Sequence, residues 1–447
     1  MRIVKKIQEE EEVLKYVDIV IGAYPGVVQT SPQTKERLVS IFKHNMSNEP
    51  TINYYGLWEN HNLLGGMRIH DFKMNLFSNI IPIGGVGQVA VDLLHKKERV
   101  AKELIDHFFQ IFLEKDVHIV ALYPFRPDFY KKMGFGYGPK MYQYSVQPSS
   151  FPKGSTKQHL KYLHQQDQQL LEDCYNRIAL KKHGMFLKTK NELDSIFQSS
   201  QNYIIAVDKG DHIEGYIVFS FKKQSESNFL LNNMVIKEFL YETPEALLEL
   251  STFLNSQADQ VNRIEWHTQD DNIHFFLGDV RNESNHLIPS VYHANAIVGI
   301  GLMYRIINVR GFFQELKRHH FNNSNITFKL TVYDSLLEEN NKPLIIRTVD
   351  GALEMLENAH YDVEMIIDIA ELSSLVMGVV TVQELFMLGM LKVSDEQFLQ
   401  ELHKFFFVLN KPTCVTAFHS NRRKTLKFFR VNPFSLGWMN GWVFLKV

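Results

Sequence analysis

Apolar residues recur along the chain with two periods, and the alternation between them marks out the elements. In residues 10–21 and 33–44 they return every three or four positions, the spacing of one face of a helix. Pro25, Gly26 and Pro32 lie between these stretches and exclude a continuous helix. Residues 54–58 and 63–72 alternate about a turn at 59–62 and predict a β-hairpin. Residues 83–91 read as a buried strand rich in β-branched side chains, with Gly84 and Gly85 allowing close backbone approach. A basic turn follows. Beyond it Val100, Ala101, Leu104, Ile105, Phe108, Ile111 and Phe112 make one apolar helical face, opposite Lys102, Glu103, Asp106 and Gln110. Residues 117–123 then suit a buried strand parallel to the first, giving a β-α-β unit.

The middle of the chain repeats this order. A hairpin is expected from residues 203–207 and 214–221, then a strand within 228–239, a helix over 243–256 and a strand over 261–267. From about residue 301 the pattern turns β-rich, with two helices expected at 368–377 and 381–391 around a break at Gly378. Met377, Phe386, Met387 and Met390 read as core. The expected division is 1–150, 151–300 and 301–418, with an extension at 419–447. The class is α/β and α+β.

Composition adds mainly exclusions. Against 48 Lys and Arg stand 50 Asp and Glu, so no global charge points to nucleic acid or to a membrane surface. Two cysteines, Cys174 and Cys414, rule out a disulfide framework, fit a reducing cytoplasm and have no metal-ligand spacing. The N-terminal residues turn acidic before any apolar run of signal-peptide length, and no stretch is long enough to span a bilayer. A soluble, cytoplasmic protein is expected.

The chemistry gathers at residues 83–113. Lys96, Lys97 and Arg99 crowd the turn before a helix, where free N–H groups and the helix dipole already favour an anion. The run VAVDLLHKKERVA resembles the pyrophosphate-binding segment of the GNAT acetyltransferases. More narrowly it is similar to the Eis group of aminoglycoside and lysine acetyltransferases, through Gly84 to Val86, Val89 to Val91 and His95 to Arg99. Arg99 stands where that group has glycine, and Leu93 where it has proline. With a Cβ, Arg99 enters the left-handed region only at a cost, so the loop is expected to be ordinary helix or slightly strained.

The resemblance implies a GNAT acetyltransferase fold, a second degenerate GNAT-like domain without a coenzyme site, and a sterol-carrier-like C-terminal domain. In the second domain Glu238, Glu242 and Glu245 stand where a diphosphate would need cations. The resemblance further implies acetyl-CoA as co-substrate and no metal. Val89, Ala90, Val91, Lys96, Lys97, Glu98, Arg99, Val100, Ala101 and Lys102 would line the coenzyme, with Phe125 and Arg126 at its border. Tyr130 takes the place of the family's general acid, a phenol titrating near pH 10 beside a thiol near 8.5. The acceptor implied is a primary amine of aminoglycoside, polyamine or lysine type, with no nucleic acid or membrane as partner and a hexamer as assembly.

In that family a terminal carboxylate is the general base, and the family's end falls near Phe418. Here residues 419–447 continue with six Lys and Arg, no Asp or Glu, and two of the four tryptophans. That extension reads as a basic-aromatic binding patch, as a strand pair delivering the Val447 carboxylate, or as an addition without selected function. Glu36 and Asp92 are alternative bases. The rivals to an enzyme are a non-catalytic acyl-CoA-binding or scaffold protein and a lipid carrier.

Overall fold

The computed structural model describes residues 1–25, 31–228, 231–284, 286–288 and 292–416. Val447 and the whole 419–447 extension lie outside the described residues. β1 (Arg2–Lys6) leads to helices α1 (Glu10–Ala23) and α2 (Pro32–Asn48), then to β2 (Ile52–Glu59), β3 (Asn62–Leu76) and β4 (Asn79–Val91). α3 (Val100–Glu114) returns the chain to β5 (Ile119–Leu122), followed by α4 (Pro127–Lys131), β6 (Gly136–Tyr137) and β7 (Lys140–Val146). The middle runs β8 (Leu160–Tyr162), α5 (Gln168–Ala179), α6 (Lys190–Phe197), β9 (Tyr203–Asp208), β10 (Ile213–Lys223), β11 (Asn232–Tyr241), α7 (Pro244–Asn255) and β12 (Arg263–Thr268). It closes with α8 (Ile273–Phe276), the small hairpin β13 (Leu287–Ile288) and β14 (Tyr292–His293), then β15 (Ala296–Ile300) and β16 (Met303–Ile306). The last part holds α9 (Val309–Glu315), β17 (Ile326–Tyr333), β18 (Leu344–Val349), β19 (Ala352–Leu356), β20 (Val363–Asp368), α10 (Ile369–Val376), α11 (Val382–Met387), β21 (Leu391–Val393) and α12 (Leu399–Phe406).

Helix starts follow local chemistry. The Ser31 and Thr243 hydroxyls accept from the amides of Thr34 and Ala246, and proline fills the first helical position in both cases. Two seven-stranded sheets result, in the orders β1-β2-β3-β4-β5-β16-β6 and β15-β7-β12-β11-β10-β9-β8. The chain therefore exchanges strands between them. β7 pairs antiparallel with β12 in the second sheet, and β16 slots between β5 and β6 in the first. The third sheet, β19-β18-β17-β20-β21, shares a core with the first: Phe72, Ile83 and Ile119 pack in one cluster with Phe328, Met365 and Leu372.

Three expectations from sequence are corrected. Leu391 begins a strand, because Gly389 at φ 70° ends the preceding helical turn. Met387 and Met390 are exposed, whereas Met377 is buried and Phe386 packs partly against the core. Gly84 and Gly85 make room for side chains of the protein itself: a Cβ on them would stand 2.7 Å from Phe112 and 2.6 Å from Phe72.

Two polar clusters pin the third part onto the first. Arg305 of β16 is fully buried and its Nη2 donates to both oxygens of Asp334 at 2.8 and 2.9 Å, while its guanidinium lies 4.7 Å from the Phe109 ring centroid. Asp334 also accepts from the amides of Leu336 and Leu337 and from Asn340 Nδ2. Gly134, at φ 80°, lies against that guanidinium, where a Cβ would collide. The second cluster stacks Phe77 between His183 at 4.6 Å and His319 at 4.4 Å. The His183 Nε2–H donates to the Met377 carbonyl at 3.1 Å. Burial pushes both imidazoles down to about 4, with His319 adding to the effect at His183 and His320 at His319.

Removing one partner of the buried pair leaves a charge without compensation, so Asp334→Ala should lower unfolding free energy by roughly 3–5 kcal/mol in urea titrations. The histidines set a pH window. An unfolded imidazole titrates near 6.5, so between about pH 6.5 and 4 the unfolded chain binds protons that the folded chain refuses. Stability is complete above that window and falls as pH drops through it. His183→Gln should flatten this dependence, measured as urea midpoints at pH 7 and pH 5.

Candidate functional site

β4 pairs with β5 over only three residues, Gly84 to Val86 against Val120 to Leu122. β4 then continues through residues 87–91 while β5 stops, so the strands part and leave main-chain groups facing a cleft. A bulge marks the parting. Gly66 faces Ala90 and Arg68 faces Gly87, leaving Gln88 and Val89 opposite Met67 alone, with Gln88 at φ 49°. Helix α1 braces that bulge: the Tyr16 hydroxyl donates to the Gln88 carbonyl at 2.6 Å and the Tyr24 hydroxyl to the Val89 carbonyl at 2.7 Å. Val89 and Val91 are half-buried and Ala90 is buried.

The loop between β4 and α3 spans residues 92–99. Asp92 caps its first turn, accepting from the Leu94 amide at 2.9 Å. Lys97 at φ 69° and Arg99 at φ 65° both adopt the left-handed region, so the strained alternative holds, at roughly 1–2 kcal/mol per residue. Arg99 precedes α3 without a side-chain cap, and the amides of Val100, Ala101 and Lys102 have no intrahelical partner. Lys96, Lys97 and Arg99 are exposed, and among the described residues none of them forms an ion pair. Glu98 is turned the other way: its carboxylate meets Arg2 and His95, both at 3.1 Å. Lys102 is engaged with Asp106 at 2.7 Å. Three cations and three amides are thus left at one helix start, a fit for a diphosphate.

Across the cleft, Pro127 opens α4 and Tyr130 sits on its last turn, 7% exposed, with Phe129 and Phe135 edge-on at 5.1 and 5.8 Å. Burial, and secondarily the proximity of Tyr24, raises the Tyr130 phenol above its ordinary value. That shift takes the phenol further from a thiol's ordinary value than the sequence alone suggests. Phe125 is exposed and touches Tyr24, with ring centroids 5.8 Å apart. Arg126 folds onto Asp128 instead of the cleft. Glu36 is exposed on α2. Tyr16 and Tyr24 were not among the expected site residues. Their eight-residue spacing fits one face of a helix, yet their partners are main-chain atoms far along the sequence.

In the second sheet β11 and β12 pair over Asn233 to Ile236 against Arg263 to Trp266, and β11 likewise runs on. Its link to α7 is residues 242–243 alone. Glu242 binds Arg177 and Lys181 there, and Glu238 is paired with Lys188 and Tyr216. The C-terminal segment crosses from this domain to the first. The Cys414 amide donates to Gln269 Oε1 at 2.6 Å, and the Tyr123 hydroxyl, just past β5, donates to the Thr416 carbonyl at 3.1 Å. An opening between the first and third parts, bordered by Phe77, Phe313 and Phe405, has a cavity volume of only about 20 Å³, far below the ~300–1,000 Å³ usual for pockets that bury a drug-sized molecule.

Family profiles described as acetyltransferase (GNAT) domain match residues 4–138 and 184–306, and one described as sterol carrier protein domain matches residues 309–415. The chain belongs to the GNAT acetyltransferases. It is an acyltransferase with two GNAT domains and a sterol-carrier-type C-terminal domain. Solved structures share this GNAT chain's fold. A GCN5-related N-acetyltransferase from Anabaena variabilis superposes with TM-score 0.77 at 18% identity, covering 93% of this chain and 99% of that one. A conserved protein of unknown function from Enterococcus faecalis, described as a probable N-acyltransferase, gives 0.73 at 20% identity over 94% and 100%. Eis1 from Mycobacterium abscessus gives 0.72 at 15% identity over 94% and 100%. No curated protein sequence matches the chain. Among the described residues of this GNAT protein no helix is long and apolar enough to cross a membrane.

Arg99→Gly separates backbone strain from charge. It should leave the melting temperature unchanged or slightly raised while weakening coenzyme A binding about three- to tenfold at low salt, measured by calorimetry beside thermal melts.

Proposed function

We propose that the protein transfers acetyl from acetyl-CoA to a primary amine of aminoglycoside, polyamine or lysine type, using the first GNAT domain alone. The observation that carries this reading is the combination of a parted β4 and β5 with three uncommitted cations at the α3 start. In this reading Lys96, Lys97, Arg99 and the amides of Val100 to Lys102 hold the diphosphate, and the main chain of residues 87–91 offers hydrogen bonds to the pantetheine arm. The Gln88 and Val89 carbonyls are taken by Tyr16 and Tyr24, which leaves that role to the other main-chain groups of this stretch. Bound there, the coenzyme supplies a thioester open to direct attack by an amine. Tyr130 delivers a proton to the departing sulfur, and its buried position keeps that proton in place at neutral pH. The second domain, with a two-residue link occupied by a paired carboxylate, takes no coenzyme.

The attacking amine must be neutral, so a base is needed. The chain passes the end of β5 at Thr416, and a terminus at Phe418 would place a carboxylate at most about 7 Å from that anchor. In the full chain the Val447 carboxylate comes 31 residues after Thr416 (447 − 416). Ending the chain at Phe418 should therefore raise acetylation of an amine panel at least several-fold. A loss would assign the base to Val447. Asp92 is engaged as a turn cap and does not take this role.

Tyr130→Phe tests the acid. Turnover should fall by about 10²–10⁴ with coenzyme A affinity within twofold of the parent; unchanged turnover would remove Tyr130 from the mechanism. Because burial raises the phenol, the alkaline limb of the parent's rate profile belongs above about pH 10 if this proton limits it.

A further inference from the structure

Tyr24 joins parts of the molecule that the parting of β4 and β5 would otherwise leave unconnected. It caps the C-terminal end of α1. Its hydroxyl holds the Val89 carbonyl at the bulge on one wall of the cleft, and its ring lies edge-on to Phe125 beyond the end of β5 on the other. One phenol and one phenyl ring therefore bridge the gap. Tyr16, eight residues earlier and fully buried against Phe42 and Tyr54, holds the neighbouring Gln88 carbonyl and keeps α1 from sliding along the strand. Tyr24 also lies near enough to Tyr130 for a charge on one to be felt by the other. Since Tyr130 must meet the thioester sulfur, the bridge stands at the acyl end of the cleft and away from the diphosphate loop.

We infer that Tyr24 is the residue that limits acyl length: anchored on Val89 and braced by Phe125, its ring leaves room for a short acyl group and obstructs longer ones. This inference rests on the proposed coenzyme site. Burial keeps the Tyr24 phenol protonated, raised to about 12, so its donation to Val89 persists across the working pH range. A rigid ring held at both edges discriminates by overlap, and each methylene forced against it carries a penalty of the size seen in overpacked sites.

The test is calorimetric binding of acetyl-CoA and hexanoyl-CoA to the full chain, with turnover as a second readout. The parent should bind acetyl-CoA at least about tenfold more tightly than hexanoyl-CoA. Tyr24→Ala should bring the two affinities within about threefold of each other by strengthening hexanoyl-CoA relative to acetyl-CoA. Tyr24→Phe keeps the ring and should retain the preference. Phe125→Ala removes the other half of the bridge at an exposed position, and should relax the preference even if Tyr24→Ala fails to fold. Equal binding of both thioesters by the parent, or an undiminished preference in Tyr24→Ala or Phe125→Ala, overturns the role of Tyr24 and leaves the coenzyme site standing. A parent that binds neither thioester overturns both.

Discussion

Parallel strands satisfy each other's peptide groups only while they run side by side. For β4 and β5 that lasts three residue pairs, after which the main chain beyond Val86 needs another partner. The rest of the first domain is arranged around that gap. The bulge at Gln88 and Val89 turns β4 outward, two tyrosines of α1 hold the bulge carbonyls, and the loop at 92–99 brings positive charge to the far end. Tyr130 is placed opposite by a five-residue helix whose own backing, Gly134, rests on the buried guanidinium of Arg305. The third domain thus backs this helix through Asp334, and through Glu371, which pairs with Lys131.

The second domain repeats the architecture with a different connection. Its strands β11 and β12 part in the same manner, yet the connection to the following helix is two residues instead of eight, and its carboxylate is already bound by Arg177 and Lys181. That link is shorter than the first domain's, and among the described residues its carboxylate is already paired. Charge and loop length, more than strand order, are where the two domains differ.

Much of the secondary structure was legible because each period in the sequence had one interpretation: α3 shows a helical stripe and β10 an alternating one. The basic loop was legible too, since Lys96, Lys97 and Arg99 are neighbours in sequence. What could not be read depends on distant partners. The exchange of β7 and β16 between sheets leaves no local mark. Gly84 and Gly85 suggest a ligand until Phe112 and Phe72 are seen filling the space. Met387, at the end of α11, and Met390, past Gly389, share the composition of a core but are exposed. The roles of Tyr16 and Tyr24 depend on carbonyl oxygens more than sixty residues away.

The central claim is that one of two similar domains, and only one, presents a cradle for a thioester coenzyme. Calorimetric titration of the full chain with acetyl-CoA addresses it directly through stoichiometry. The account requires one molecule bound per chain, with affinity that weakens as salt is raised. Two molecules per chain, or none, would contradict it.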